Sequence, residues 1–394
     1  MSIANDTPRH DLSRHVFISA GEYSGELIAE ALVKQLHTLC PEIRFSGIGS
    51  TLLSAAGVHC VVSSDRLSMM GLLEVLESLG ELAQIEKIIL AYIDRNHVDL
   101  AIFVDFAGLH LRWAEAFKLR GIPVIQYVAP KLWAWGEERA SQLAHYSDQV
   151  LAIFPFEESY FRRLGVNCSY VGSPQLERIS PLLVQTSSAE RQSSPRIALL
   201  PGSRKQELSY TAPLFIDLVQ KILVRFPSAS FVIPVAPSLE EKDFPSLLRN
   251  HPSVKLVKAQ SLELMRGADL CVITSGTATL ECALCDVPFV TVYRMNRVSY
   301  ALALKKVKSR WIALPNILLG EELVREFIQN FAMEDLISEV SELWLNKEKR
   351  DRMQQGFSRL RAQLASPNGE SASLYAARIV KRLLYSSSTN TSSL

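Results

Sequence analysis

The chain has 394 residues, 48% of them hydrophobic, and a formal net charge of +1; that length exceeds one ordinary core and points to two domains of roughly 150 to 200 residues. The near-neutral balance excludes a broad field for nucleic acid, and no run of about 18 uncharged apolar residues is available to span a membrane. Cys40, Cys60, Cys168, Cys271, Cys282 and Cys285 lack zinc or disulfide spacing and read as reduced core residues of a cytosolic protein, so no zinc site is expected among them, and no cofactor is assigned.

Met1 to Arg14 is polar and lacks the apolar stretch of a signal peptide. His15 to Ser19 then reads as a strand, Gly21 to Gly25 as its turn, Leu27 to Leu39 as a helix ending near Pro41, and Ile43 to Ile48 as the next strand. The turn lacks Gly-x-Gly-x-x-Gly, which excludes a dinucleotide fingerprint, yet it offers Glu22, Ser24, Gly25 and Glu26 to a ligand. Ser24 as a simple helix cap is the alternative. Leu67 to Ile85, rich in Met and Leu and including Met69 and Met70, suits an acyl chain, a membrane surface or an ordinary core. Val98 to Asp105, Pro123 to Val128, Gln149 to Ile153 and Cys168 to Val171 extend the strand series into a parallel sheet covered on both faces. Trp133 and Trp135 alternate, so that in an extended segment at most one faces the core and the other meets sugar or lipid.

The Ser-rich stretch 183–195 reads as a linker between a first domain, 1–182, and a second run of elements opening at Arg196. There the strands Arg196 to Leu200 and Leu270 to Thr274 each end in a glycine corner that leads into a helix. Gly202 and Gly276 remove the Cβ that would hold an anion away, and the first helical turn supplies unpaired N–H groups and a positive dipole end. Ser203, Arg204, Ser275 and Thr277 add donors, so the pair of corners points to a nucleotide diphosphate, with Glu281 placed for sugar hydroxyls. Turns and caps alone are the plainer explanation of either corner. Lys305, Lys306, Lys308 and Arg310 form a basic run suited to anionic headgroups or to a solvated helix face, and the polar tail 386–394 reads as disordered.

Eight segments together carry a resemblance: Ala20-Gly-Glu-x-Ser-Gly, Met70-Gly with Glu74-Val-Leu, Tyr127-Val-x-Pro-x-x-Trp-Ala-Trp135, Phe154-Pro-Phe-Glu157, Leu199-Leu-Pro-Gly-Ser-Arg204, Ser275-Gly-Thr-x-x-Leu-Glu281, Tyr293-Arg-Met295 and Leu314-Pro-Asn316. In order and spacing they resemble the lipid-A-disaccharide synthases over about residues 15 to 385. The resemblance implies an α/β GT-B fold: two Rossmann-like parallel-sheet domains facing a central cleft, with a C-terminal helix crossing back to the first. The expected divisions are an acceptor and lipid domain at 1–182, a UDP-sugar domain at 196–345 and returning helices at 346–385.

The implied reaction is inverting transfer from UDP-2,3-diacylglucosamine to 2,3-diacylglucosamine 1-phosphate, by a metal-independent enzyme peripheral to the inner face of the bacterial inner membrane. Neither nucleic acid nor a spanning segment enters this reading, and a homodimer stays open. Asp105 matches the family's strand-end aspartate and is expected to be the base, with Glu22 and His110 as further candidates. Arg204 and the amides around Gly276 would hold the diphosphate, Glu281 the ribose, and Asn316 would line the nucleotide site. The chain departs from the family at Phe106-Ala-Gly-Leu-His110, where x-Pro-Asp-Phe-Asn is usual, at Glu26 for Asp, and at Ser173 for His. Two alternatives follow: an enzyme of the UDP-N-acetylglucosamine 2-epimerase type, and a homologue that binds UDP-sugar or lipid without coupling them.

Overall fold

The computed structural model describes residues 13–68, 75–183, 194–258 and 261–386. Met70 and its neighbours 69–74, most of the expected linker, and the tail beyond Ser386 lie outside the described residues. The chain divides into two compact units, one within 1–132, 136–174 and 366–394, the other within 133–135 and 175–365. The contact boundaries therefore fall at Pro174 and Ser366 rather than at 182 and 346, because Pro174 already opens a helix, Pro174–Leu183, whose Arg178 binds Glu281.

Among the described residues the first unit holds seven parallel strands: β1 His15–Ala20, β2 Arg44–Gly49, β3 Val58–Ser63, β4 Leu100–Val104, β5 Val124–Tyr127, β6 Gln149–Ala152 and β7 Cys168–Tyr170. Their spatial order is β3-β2-β1-β4-β5-β6-β7. β1 and β4 are buried along their whole length, as continuous apolar runs must be when helices cover both faces. Ala20 pairs with Val104 at the C-terminal ends of these two strands, where the strand order reverses. A crevice outside that reversal is where open α/β sheets bind ligands. Phe17, Phe103, Trp113 and Phe117 fill the core beneath it.

The helix after β1 runs Tyr23–Leu39, four residues earlier than the apolar periodicity predicts. Glu26 N already donates to Glu22 O at 3.0 Å, so Glu22 takes the N-cap position and Ser24 lies inside the helix rather than capping it. Its buried Ile28, Ala29, Leu32, Val33 and Leu36 recur at helical spacing. Against this helix packs the last one, Ala372–Ser386, which buries Ala376, Ala377, Val380 and Leu384 and belongs to the first unit.

The second unit repeats the plan with six parallel strands, β8 Arg196–Leu200, β9 Ser230–Pro234, β10 Val254–Val257, β11 Leu270–Thr274, β12 Phe289–Tyr293 and β13 Glu326–Ile328, ordered β10-β9-β8-β11-β12-β13. Here the reversal lies between β8 and β11, so both glycine corners emerge side by side.

Candidate active site

In the first unit the candidate residues gather after β1 and β4. Asp105 and Phe106 are both left-handed, at φ 54° and 53°, and Val128, after the neighbouring β5, stands at φ 69°. Aspartate tolerates that region, whereas an aromatic or β-branched residue there costs about 1 to 3 kcal/mol and persists only when its surroundings over-determine it. Asp105 N donates to Tyr127 O at 2.8 Å, and Val128 N to Leu151 O at 3.0 Å. Asp105 O accepts from His110 Nδ1 at 2.6 Å and Gln126 Nε2 at 3.3 Å. Since a carbonyl only accepts, His110 carries its proton on Nδ1, and Nε2 accepts from Ser19 Oγ at 2.9 Å.

His110 is fully buried and stacks on Phe103 with centroids 4.9 Å apart. Burial pushes its pKa down to about 4, against a smaller upward pull from the Asp105 carbonyl, so the ring is neutral at pH 7. With both nitrogens engaged and no exposed surface, His110 braces the strand end instead of facing a ligand. Asp105 keeps a half-buried carboxylate whose Oδ1 accepts from Phe106 N at 2.9 Å. The helix Ala107–Lys118 has Phe106 at its N-cap and no side-chain cap, so Asp105 does not serve as one.

The loop after β1 closes on this turn. A Cβ at Gly21 would lie 2.9 Å from the Phe106 ring, and one at Gly25 would lie 3.6 Å from Asp105 Cβ. Glu22 and Ser24 are half-buried beside it. Glu26, by contrast, is buried and tied to Ser50 N at 3.1 Å and to the hydroxyls of Ser50 and Ser64. Ser173 is also buried, next to Gly172, whose φ of 96° lets the chain pass Ser366.

In the second unit the two corners are not equal. At the first, Glu207 folds back and Oε2 accepts from Ser203 N at 3.0 Å and Arg204 N at 3.4 Å, so a protein carboxylate already occupies the amides read as a phosphate seat. Arg204 itself is exposed, its Nη1 3.6 Å from Glu207 Oε1. Tyr293 belongs to this corner: burial and the Glu207 charge push its phenol up while Arg204 opposes them. At the second corner Gly276, at φ 134°, is the N-cap of the helix Thr277–Leu284 and no side chain caps it. Thr277 is exposed, and a Cβ at Gly276 would meet nothing within 4 Å. This is the corner open to an anion.

Three residues around it have structural partners. Ser275 Oγ donates to Ile312 O at 3.2 Å. Glu281 is largely covered and ion-paired with Arg178; burial pushes its carboxyl up and Arg178 pulls it back. Asn316, expected to line the nucleotide site, is fully buried: Nδ2 donates to Val324 O at 2.7 Å and Glu326 Oε1 at 2.9 Å, and Oδ1 accepts from Leu323 N and Val324 N. Glu326 also accepts from Ile312 N at 3.0 Å and Ala313 N at 2.9 Å, fixing the loop that receives Ser275. Gln126, Arg178, Glu207 and Glu326 carry no motif, and sequence reasoning missed them. Among the described residues no group of three or more His, Cys, Asp or Glu is placed to hold a metal ion.

Residues 16–380 match the family described as LpxB, lipid-A-disaccharide synthetase. The chain is 33% identical over 367 residues to the lipid-A-disaccharide synthase of Neisseria meningitidis serogroup B strain MC58, covering 91% of this chain and 95% of that one. It is 33% identical over 355 residues to that of Myxococcus xanthus strain DK1622, covering 89% and 93%. In fold it is similar to the glycotransferase of kitacinnamycin, with TM-score 0.61, 15% identity and coverage of 94% and 99%. It is likewise similar to a UDP-N-acetylglucosamine 2-epimerase from Neisseria meningitidis bound to UDP-GlcNAc, with TM-score 0.60, 15% identity and coverage of 94% and 99%. At such identities these two show the fold alone, a pair of Rossmann-like sheets of the GT-B kind.

Proposed function

Because the chain belongs to the lipid-A-disaccharide synthetase family and is a glycosyltransferase, we propose that it joins two diacylated glucosamines, with UDP-2,3-diacylglucosamine as donor and 2,3-diacylglucosamine 1-phosphate as acceptor. The observation that carries the proposal is the family match along 16–380. Supporting it, the strained turn at Asp105 and the open corner at Gly276 each stand where a strand order reverses.

Asp105 takes the proton of the acceptor 6-hydroxyl as that oxygen bonds to the anomeric carbon of the donor. The bond from that carbon to the diphosphate breaks on the opposite face, its electron pair leaves with UDP, and the anomeric configuration inverts. Glu22, Ser24, Gly25 and Met70 belong to the acceptor side, with Glu22 the alternative base. The amides at Gly276 and Thr277, the dipole of the following helix, the hydroxyl of Ser203 and the Arg204 guanidinium meet the developing negative charge, while Ser275, bonded to Ile312 O, holds the loop beside them. Glu281 would bind ribose hydroxyls, a role in which Arg178 holds its carboxylate in place. His110 and Asn316 contribute by fixing backbone, the first under Asp105 and the second beside Ser275.

No described helix is long and apolar enough to cross a membrane. Acyl-chain substrates then imply an enzyme that works at the inner-membrane surface from the cytoplasmic side. Purified protein incubated with both diacylated substrates should release UDP and disaccharide 1-phosphate in equal amounts. Interconversion of UDP-sugar epimers, or UDP binding without either product, would overturn the proposal in favour of the epimerase or the binding-only alternative.

A further inference from the structure

The helix Arg297–Lys306 follows β12, and none of its residues is buried. Asn296 Oδ1 caps its start at Ser299 N, 2.7 Å away, and just beyond its end Lys308 N donates to Ala134 O at 2.9 Å. A helix on a globular unit ordinarily turns an apolar stripe inward. Here Val298, Leu302 and Leu304 are 70%, 54% and 67% exposed. Val298, Leu302 and Lys305 share one face at spacings of four and three.

Charge is as one-sided as burial. From Val287 to Gly320 the chain contains no Asp or Glu, while Arg294, Arg297, Lys305, Lys306, Lys308 and Arg310 are all basic. Lysine stems lie along apolar surface while their ammonium groups reach outward to phosphate. Trp135, half exposed, follows the Ala134 that receives the Lys308 amide, and an indole is apolar in body with one polar edge.

We propose that Arg297–Lys306, continued through Lys308 and Arg310 and joined by Trp135, is the surface that seats the enzyme on an anionic lipid bilayer. The proposal rests on the reading that the substrates are acylated and drawn from a membrane, and it names the part of the protein that meets that membrane. Anionic lipid fits both features at once, since headgroups neutralise the lysines and the acyl boundary takes up Val298 and Leu302. A second copy of the chain fits less well, because a two-fold contact through this segment would set its basic residues against their own copies.

The test uses the full chain and vesicles of equal parts phosphatidylcholine and phosphatidylglycerol, with pure phosphatidylcholine vesicles for comparison. Wild type should sediment with the anionic vesicles and much less with the neutral ones. Lys305→Gln with Lys306→Gln should lower the anionic partition coefficient about thirtyfold. Val298→Ser with Leu302→Ser should lower it as well. Both double variants should unfold at the wild-type temperature and make disaccharide normally from detergent-dispersed substrates, so failure of the reaction itself is read separately from failure of docking. Brominated lipid should quench wild-type tryptophan emission more than that of Trp135→Phe. Unchanged vesicle binding in both double variants would overturn the proposal, as would a wild type that binds no anionic vesicles. A wild-type dimer that these substitutions dissociate, with no loss of vesicle binding, would assign the helix to self-association instead.

Discussion

Asp105 and His110 illustrate how one side chain holds another's backbone in a costly shape. If Asp105 removes the acceptor proton, Asp105→Asn should lower turnover by about a hundredfold to ten-thousandfold, the range expected of general-base catalysis. Asparagine tolerates the left-handed region as well as aspartate does, so thermal stability and UDP affinity should stay at wild-type values. Near-normal turnover in that variant would move the base to Glu22. His110 predicts a pH effect with a definite sign. Its folded pKa, about 4, lies below the ordinary histidine value, so on acidification the unfolded chain takes up the proton first. Stability is then lost as pH falls from about 6.5 to about 4 and levels off below, a difference on the order of 3 kcal/mol. Denaturant unfolding at pH 7 and near pH 4.5 should show a smaller loss for His110→Asn than for wild type. Equal losses would mean that the acid sensitivity comes from other groups. The same variant places an amide at 110, so retained turnover would show that an amide also supports the Asp105 carbonyl.

The two strand-to-helix corners of the second unit differ in what caps them, and substitutions should separate them. Ala at Gly276 meets no neighbouring atom, but its φ of 134° is strained for any side chain. Relief of that strain moves the amides, so UDP affinity should fall about 5- to 150-fold, the equivalent of about 1 to 3 kcal/mol, by calorimetry. Gly202→Ala collides instead with the Glu207 carboxylate that caps its own corner. Its main effect should be a lower melting temperature. Arg204→Ala should cost about 1.5 to 3 kcal/mol of UDP binding, the worth of a hydrogen bond to a charged group. If Gly202→Ala abolished UDP binding with no loss of stability while Gly276→Ala left it intact, the assignment of the open corner would be reversed. The sequence makes these corners look alike because strand, glycine, hydroxyl and helix recur in both. What separates them is a side-chain conformation: Glu207 stands three residues after Arg204, and periodicity does not tell whether such a carboxylate folds back on the amides or points to solvent. The partners of Asn316 and Glu281 were illegible for a related reason, since Val324, Glu326 and Arg178 are brought near only by the completed fold.

Across the whole molecule, strand sequence and hydrophobic periodicity sufficed to read two parallel-sheet units and the corners that matter, because buried parallel strands are written as short apolar runs between glycine turns. Where the chain leaves and rejoins a unit was less legible. Gly172-Ser-Pro174 and Ser366-Pro-Asn-Gly369 are short turn signals that do not say to which unit the next helix belongs, and only packing shows which helix closes which sheet. The closing helix Ala372–Ser386 provides the test at this scale. A chain ending at Ala365 would uncover the face of the helix Tyr23–Leu39 on which the last helix packs. Limited proteolysis of that truncation should cut within 13–174 while leaving 205–365 resistant, and UDP should still bind. Equal resistance of both regions would show that the last helix is dispensable to the first unit. The same arrangement orders events on the ribosome. A chain made from its amino end exposes the apolar face of Tyr23–Leu39 while 175–365 is still being added, about ten to forty seconds at common elongation rates. The unit translated first is thus the unit completed last, and a nascent-chain chaperone has a defined apolar helix face to shield during that interval.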